Sequence, residues 1–182
     1  LDGMREVAIA VNGKFARAMG INVSTAITTA KPSGTVSQLT ASSSGMHPWH
    51  NDFYLRRVRA DNKDPLTQFM TDAGIPAEPD VTKPNTTTVF TFPQKAPEGA
   101  LTRTDVTAID HLNIWKVYKQ HWTEHNPSVT ISVRESEWIA VADWVYDNWE
   151  DVGGISFLPY SDHTYRQAPY EDCDETTFNQ FT

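Results

Sequence analysis

Apolar positions over the first twenty residues recur at helical spacing. Val7, Val11, Phe15 and Ala18 share one face, and Gly20 stands where such a helix stops. The spacing predicts a helix over residues 4–19. A β-branched run at 25–30 (Thr-Ala-Ile-Thr-Thr-Ala) then predicts a short buried strand. Lys31-Pro32-Ser33-Gly34 breaks that strand, and Thr35-Val36-Ser37-Gln38-Leu39 reads as the opening of a helix. The order is strand, tight turn, helix start.

A Ser-, Gly- and Pro-containing loop over 40–53 follows, ending in His47-Pro48-Trp49-His50. Residues 54–59 are strand-like and hold three arginines in four positions. Asp64 and Pro65 predict the cap and first turn of a short helix reaching Met70. Residues 74–85, with three prolines, read as loop, and residues 87–92 as a strand ended by Pro93. A long helix is predicted over 105–125, with Val106, Ile109, Leu112, Trp115, Tyr118 and Trp122 as its apolar stripe and Asn126-Pro127 closing it. Residues 128–133 alternate as a strand does. A second helix over 136–149 presents Trp138, Val141, Val145 and Trp149, and after Gly153-Gly154 a last strand covers 155–159. The tail beyond Tyr160 shows no periodicity. Strands alternating with helices predict an α/β arrangement of crossover units. With no repeat and no linker, the expectation is one continuous module over 1–182, cut at both ends, since Leu1 opens the chain in mid-helix.

Composition narrows the function classes. The net charge of −8 argues against a duplex-binding module, which is built around a basic face, yet leaves room for a small anion held by backbone N–H groups. The lone cysteine, Cys173, excludes a disulfide framework and a cysteine-based zinc site. No apolar run approaches 18 residues and no leader pattern is visible, so no membrane partner is expected and a cytoplasmic location is the default.

Several short patterns suggest chemistry. The turn at Lys31-Pro32-Ser33-Gly34-Thr35 would bring unpaired N–H groups and the hydroxyls of Ser33, Thr35 and Ser37 to one place. That suits phosphate, although Gly-x-x-x-x-Gly-Lys-Ser/Thr is absent. Lys31 either adds a cation there or points away, and a plain strand-to-helix turn is the competing reading. His121-Trp122-Thr123-Glu124-His125 matches the H-x-x-E-H metal pattern. Histidines at a helix C-terminus are also expected on dipole grounds, and Trp122 belongs to the packing stripe. His47 and His50 suit loop packing better than metal. Arg56, Arg57 and Arg59 suit pairing with the surplus carboxylates better than phosphate. Cys173, among acidic neighbours, is expected to have a raised pKa and no reactivity.

Three stretches together carry a family likeness. They are residues 26–39 (Ala-Ile-Thr-Thr-Ala-Lys-Pro-Ser-Gly-Thr-Val-Ser-Gln-Leu) with Ser44-Gly45-Met46-His47-Pro48, then 124–131 (Glu-His-Asn-Pro-Ser-Val-Thr-Ile), then 157–170. In this order and spacing the chain closely resembles the C-terminal half of the adenosylcobalamin-dependent (class II) ribonucleotide reductases, in their monomeric, triphosphate-using branch. The resemblance implies an α/β fold, the C-terminal portion of a ten-stranded α/β barrel. It implies that Ser33, Gly34, Thr35, Val36 and Ser37 bind the phosphates of a ribonucleoside triphosphate substrate. It also implies adenosylcobalamin as cofactor, thiyl-radical chemistry and a thioredoxin-type reductant. That chemistry needs several cysteines, so the catalytic ones and a full cofactor site would lie outside these residues. A stand-alone phosphate- or nucleotide-binding module is the alternative, and a metalloprotease ranks third.

Overall fold

The computed structural model describes residues 1–161 and 165–182; Asp162, His163 and Thr164, which fall within the third matched stretch, lie outside the described residues. In chain order the first elements are α1 (Asp2–Met19), α2 (Val36–Leu39), β1 (Phe53–Asp61), α3 (Pro65–Asp72), β2 (Ala77–Pro79) and β3 (Thr87–Lys95). There follow α4 (Ala108–His121), β4 (Thr130–Val133), a 3-10 turn (Glu135–Glu137), α5 (Trp138–Asp147), β5 (Ser156–Pro159), β6 (Tyr170–Asp172) and α6 (Glu175–Phe181). The chain divides into two compact units, Leu1–Pro48 with Thr104–Ser161, and Trp49–Arg103 with the described part of 162–182.

In the first unit, β4, α5 and β5 form a crossover, with β5 parallel to β4 from Thr130↔Ser156 to Val133↔Pro159. Alternation along β4 buries Ile131 and Val133 on one side, where they meet Leu112 and Trp115 of α4 and Val141 of α5. Leu112, Trp115 and Ile131 are fully buried, each contributing roughly 1.5–3 kcal/mol of transfer free energy. Trp115 enters this core with its polar edge satisfied, donating Nε1–H to the Pro127 carbonyl at 3.0 Å. The start of α4 is fixed by a capping box: Thr107 Oγ1 accepts from the Asp110 N–H while the Asp110 carboxylate accepts from the Thr107 N–H.

Two expectations change here. The α1 stripe at Val7, Val11 and Phe15 is exposed, and the buried face is made by Gly13 and Ala16, small residues that allow close approach. Residues 25–30 form no ladder. Their backbone groups bond to residues 122–128 instead, so the segment is extended without being a strand.

The second unit is an antiparallel sheet in the order β2-β3-β1-β6. β1 and β3 pair over their full length, Phe53↔Lys95 to Asp61↔Thr87. The crossover expectation therefore fails for this sheet and holds for β4–α5–β5. Pro93 does not end β3. The Thr91 N–H donates to Pro76 O on the β2 side, so the nitrogen of Pro93, two residues on, faces the same side where β2 no longer runs and no donor is needed. β2, β6 and α6 were not expected from the sequence.

Candidate functional site

The Pro-Ser-Gly-Thr turn lies on the surface of the first unit: Gly34, Thr35 and Val36 are exposed, Ser33 is half-buried and Ser37 is buried. Ser44 shapes it. The Ser33 N–H donates to Ser44 Oγ and the Ser44 hydroxyl donates back to the Ser33 carbonyl, both at 2.9 Å. The Ser33 hydroxyl in turn accepts from the Ser37 N–H at 3.0 Å, taking the place of a helix cap for the four-residue α2. Thr35, at the N-cap position, makes no side-chain cap bond. Among the described residues the N–H groups of Thr35 and Val36 donate to no partner, and the buried Ser37 hydroxyl has none either. The five residues named from the sequence are thus held together, with several donors uncommitted. Gly34 has open space where a Cβ would stand. Gly45 does not: its φ is 62°, and a Cβ there would sit 2.9 Å from the Lys31 carbonyl oxygen. Loop 44–47 and the turn therefore touch backbone to backbone.

Lys31 points away. Its Nζ donates to Asn126 O at 2.9 Å and to Ser128 Oγ at 2.7 Å. It belongs to a clamp in which residues 122–128 grip the segment feeding the turn. Trp122 Nε1–H donates to Thr29 O, Glu124 N–H to Thr28 O, and Ser128 N–H to Ala30 O. The Glu124 carboxylate accepts from the N–H groups of Ile27 and Thr28, which holds its pKa below the usual carboxylate range against the opposing effect of desolvation.

The residues of the H-x-x-E-H pattern are engaged in and beside the same clamp. α4 ends at His121, so His121 and His125 do not share a helical face. His121 Nδ1 faces Asp2 Oδ2 at 2.8 Å, while His125 Nε2 faces Ala26 O at 3.3 Å. Among the described residues no three His, Cys, Asp or Glu side chains gather as a metal site.

His47 is a packing residue, as its loop suggested, with a specific geometry. The Thr130 N–H donates to His47 Nε2 at 3.0 Å, so the proton sits on Nδ1, which donates to the Ser44 carbonyl at 2.7 Å. His111 meets it edge-on at 5.5 Å and bonds the Met46 carbonyl through Nε2 at 3.0 Å. Burial and the neighbouring His47 push the His111 pKa down to about 4, and the Met46 bond opposes them. Sequence reasoning singled out neither His111 nor Ser44. Ser44 carried one signal, its place in the matched Ser-Gly-Met-His-Pro.

In the second unit the arginine-rich strand is committed to carboxylates. Arg57 pairs with Glu171 and Arg59 with Asp80, while Arg56 lies over the Tyr170 ring. The Asp80 carboxyl is held far below its ordinary range by the Thr82 hydroxyl, then by the Thr82 N–H, Arg59 and the Lys83 N–H. His50 bonds Asp172, which also pairs with Arg103; burial, then the Arg103 charge, pushes its pKa down to about 4. The Cys173 thiol is pushed up by burial and by Asp174, Asp172 and Glu171. No helix among the described residues is long and apolar enough to cross a membrane.

Comparison with known proteins gives this fold and turn a context. No protein-family model matches the chain. A crystal structure of B-12 dependent (class II) ribonucleotide reductase superposes on 99% of it with a TM-score of 0.82 at 26% identity, using 26% of that protein. The fold is thus a mixed α/β segment of the kind found in class II ribonucleotide reductases. More particularly, the chain is homologous to adenosylcobalamin-dependent ribonucleoside-triphosphate reductases. A probable one from Dictyostelium discoideum is 31% identical over 174 residues, 92% of this chain and 22% of that protein. The Lactobacillus delbrueckii subsp. bulgaricus enzyme is 30% identical over 185 residues, 99% and 25%. The Euglena gracilis enzyme is 31% identical over 162 residues, 88% and 22%. The chain spans about a quarter of the length of the relatives it matches.

Proposed function

We propose that this chain is the substrate-phosphate-holding part of an adenosylcobalamin-dependent ribonucleotide reductase, which converts ribonucleoside triphosphates to 2′-deoxyribonucleotides by thiyl-radical chemistry. Ser33, Gly34, Thr35, Val36 and Ser37 bind the phosphates. The observation that carries the reading is the turn itself: it is braced from behind by Ser44 and presents the N–H groups of Thr35 and Val36 without a partner among the described residues. Unpaired backbone donors at a helix start suit an anion, and they do so without a cationic side chain. The homology to triphosphate reductases supports the same assignment.

On this reading the segment is the last part of a ten-stranded α/β barrel, and β4–α5–β5 supplies one of its parallel crossovers. The turn offers small neutral donors, suited to phosphate. With a single cysteine here, the radical-carrying cysteine and the reducing cysteine pair lie outside these residues on this reading, as does a complete cofactor site. Cys173, with its thiol pushed away from the thiolate form, takes no part. The electrons come from a thioredoxin-type reductant, and the enzyme works in the cytoplasm.

The test is Gly34→Val in the intact enzyme. A Cβ at Gly34 meets no atom of the described residues within 4 Å, so the variant is expected to fold and to obstruct what approaches the turn. The KM for a ribonucleoside triphosphate rises about tenfold or more, equivalent to roughly 1.4 kcal/mol. An unchanged KM removes the turn from the substrate site.

A further inference from the structure

His47 stands in a motif that the phosphate assignment does not use, yet its ring joins β4 to Ser44, the residue that braces the turn. We propose that His47 is a positioning residue for substrate phosphate, acting through Ser44. The inference rests on the phosphate reading of residues 33–37.

The connections run in one direction. The β4 backbone donates to His47 Nε2 at Thr130, and His47 Nδ1–H donates to the Ser44 carbonyl. Ser44 brackets Ser33 through both the N–H and the carbonyl of that residue, and the Ser33 hydroxyl receives the Ser37 N–H. Five hydrogen bonds thus join the start of a packed strand to the start of α2. The imidazole suits the task because its two nitrogens, one acceptor and one donor, join two main-chain groups that have no direct bond to each other. Its tautomer is set by the Thr130 N–H, which needs an unprotonated Nε2.

Two further contacts give the relay stiffness. His111, packed edge-on against His47, bonds the carbonyl of Met46, so the loop is tied to the interior at two of its carbonyls. The Gly45 backbone lies against the Lys31 carbonyl with no room for a Cβ, so the loop cannot shift without displacing the turn. An anion site made of backbone donors works only when those donors are already aimed, because any ordering on binding subtracts from affinity. His47 therefore acts on binding and leaves the chemical step alone. Its loss raises KM and leaves kcat nearly unchanged.

The experiment compares three substitutions in the intact reductase with CTP as substrate. His47→Phe fills the ring's space but makes neither bond, and is expected to raise KM about tenfold with kcat within about twofold. His47→Gln carries one acceptor and one donor, and recovers most of the lost affinity. Ser44→Ala removes a single hydroxyl and raises KM comparably; combined with His47→Phe, the two effects fall well short of additive, because both cut the same relay. Thermal melting accompanies each variant, and where His47→Phe does not fold, Ser44→Ala and His47→Gln carry the test. An unchanged KM in His47→Phe, equal values for the Phe and Gln variants, or full additivity with Ser44→Ala overturns the proposal. If Gly34→Val raises KM and these variants do not, the relay alone is wrong. If Gly34→Val also has no effect, the phosphate reading falls and the relay with it.

Discussion

Two regions of this molecule carry groups suited to an anion, and they have used them differently. Strand β1 holds Arg56, Arg57 and Arg59, the densest positive charge in the chain, yet those guanidiniums are engaged with Glu171, Asp80 and the Tyr170 ring. Lys31, the cation next to the 33–37 turn in sequence, is tied to Asn126 and Ser128 and not directed at it. The turn nevertheless keeps donors without partners among the described residues. In a chain of net charge −8, charged side chains find local counter-ions first, and the capacity to bind a ligand remains where the backbone cannot complete its own hydrogen bonds. Counting charges along the sequence points to β1; counting uncommitted donors points to the turn.

The strongest way to break this contrast is Arg57→Met. Losing the partner of Glu171 and of the Ala168 carbonyl is expected to destabilise by on the order of 2 kcal/mol, between the values for exposed and buried pairs. Melting would fall by roughly 4–8 °C, with triphosphate KM unchanged. A tenfold rise in KM at unaltered stability would make β1 an anion site after all.

An intermediate effect comes from pH. His111 and His50 are neutral in the fold, their pKa values lowered from 6.5 to about 4, whereas the unfolded chain protonates them near 6.5. Stability therefore declines as pH falls from 6.5 towards 4 and levels off below that for these groups. Asp80 acts at lower pH. Its depressed pKa contributes stability that is full above 3.8 and is lost as pH falls below that value. Urea unfolding at pH 7, 5.5 and 4.5 checks the histidine part, and His111→Gln should flatten the profile between 6.5 and 4.

The smallest effect sharpens the turn's side of the comparison. Lys31→Met removes two hydrogen bonds from an exposed amine, costing about 0.5–1 kcal/mol and changing triphosphate KM by less than about twofold. A large loss of affinity at constant stability would show that the amine swings onto the ligand.

Much of the local structure was legible in the sequence because its causes are local. Asp64-Pro65 did start α3, Gly20 did end α1, and the alternation of 128–133 did mark β4. The failures share one cause, partners distant along the chain. α4 was expected to reach His125, but the backbone N–H groups of Glu124 and His125 turn to Thr28. Residues 25–30 looked like a strand because β-branching marks extended backbone, whatever that backbone bonds to. β6 is three polar-edged residues that exist as a strand only because β1 accepts them at Tyr54↔Asp172 and Arg56↔Tyr170. α6 alone carried a local sign that went unused: Asp174 accepts from the Thr177 N–H, an ordinary N-cap. At the site, the position of the turn was readable from its residues. The role of Ser44 was not, because the Ser33–Ser44 bonds span eleven residues of loop.

The glycine of the turn and the glycine of the loop behind it would part company in a saturation screen that scores abundance and activity separately. Gly34, open to solvent, would accept other residues at full abundance while activity fell. Gly45, at φ 62° and with a carbonyl where its Cβ would go, would lose both scores to nearly every replacement. The position less tolerant of change is thus the one outside the proposed phosphate contacts.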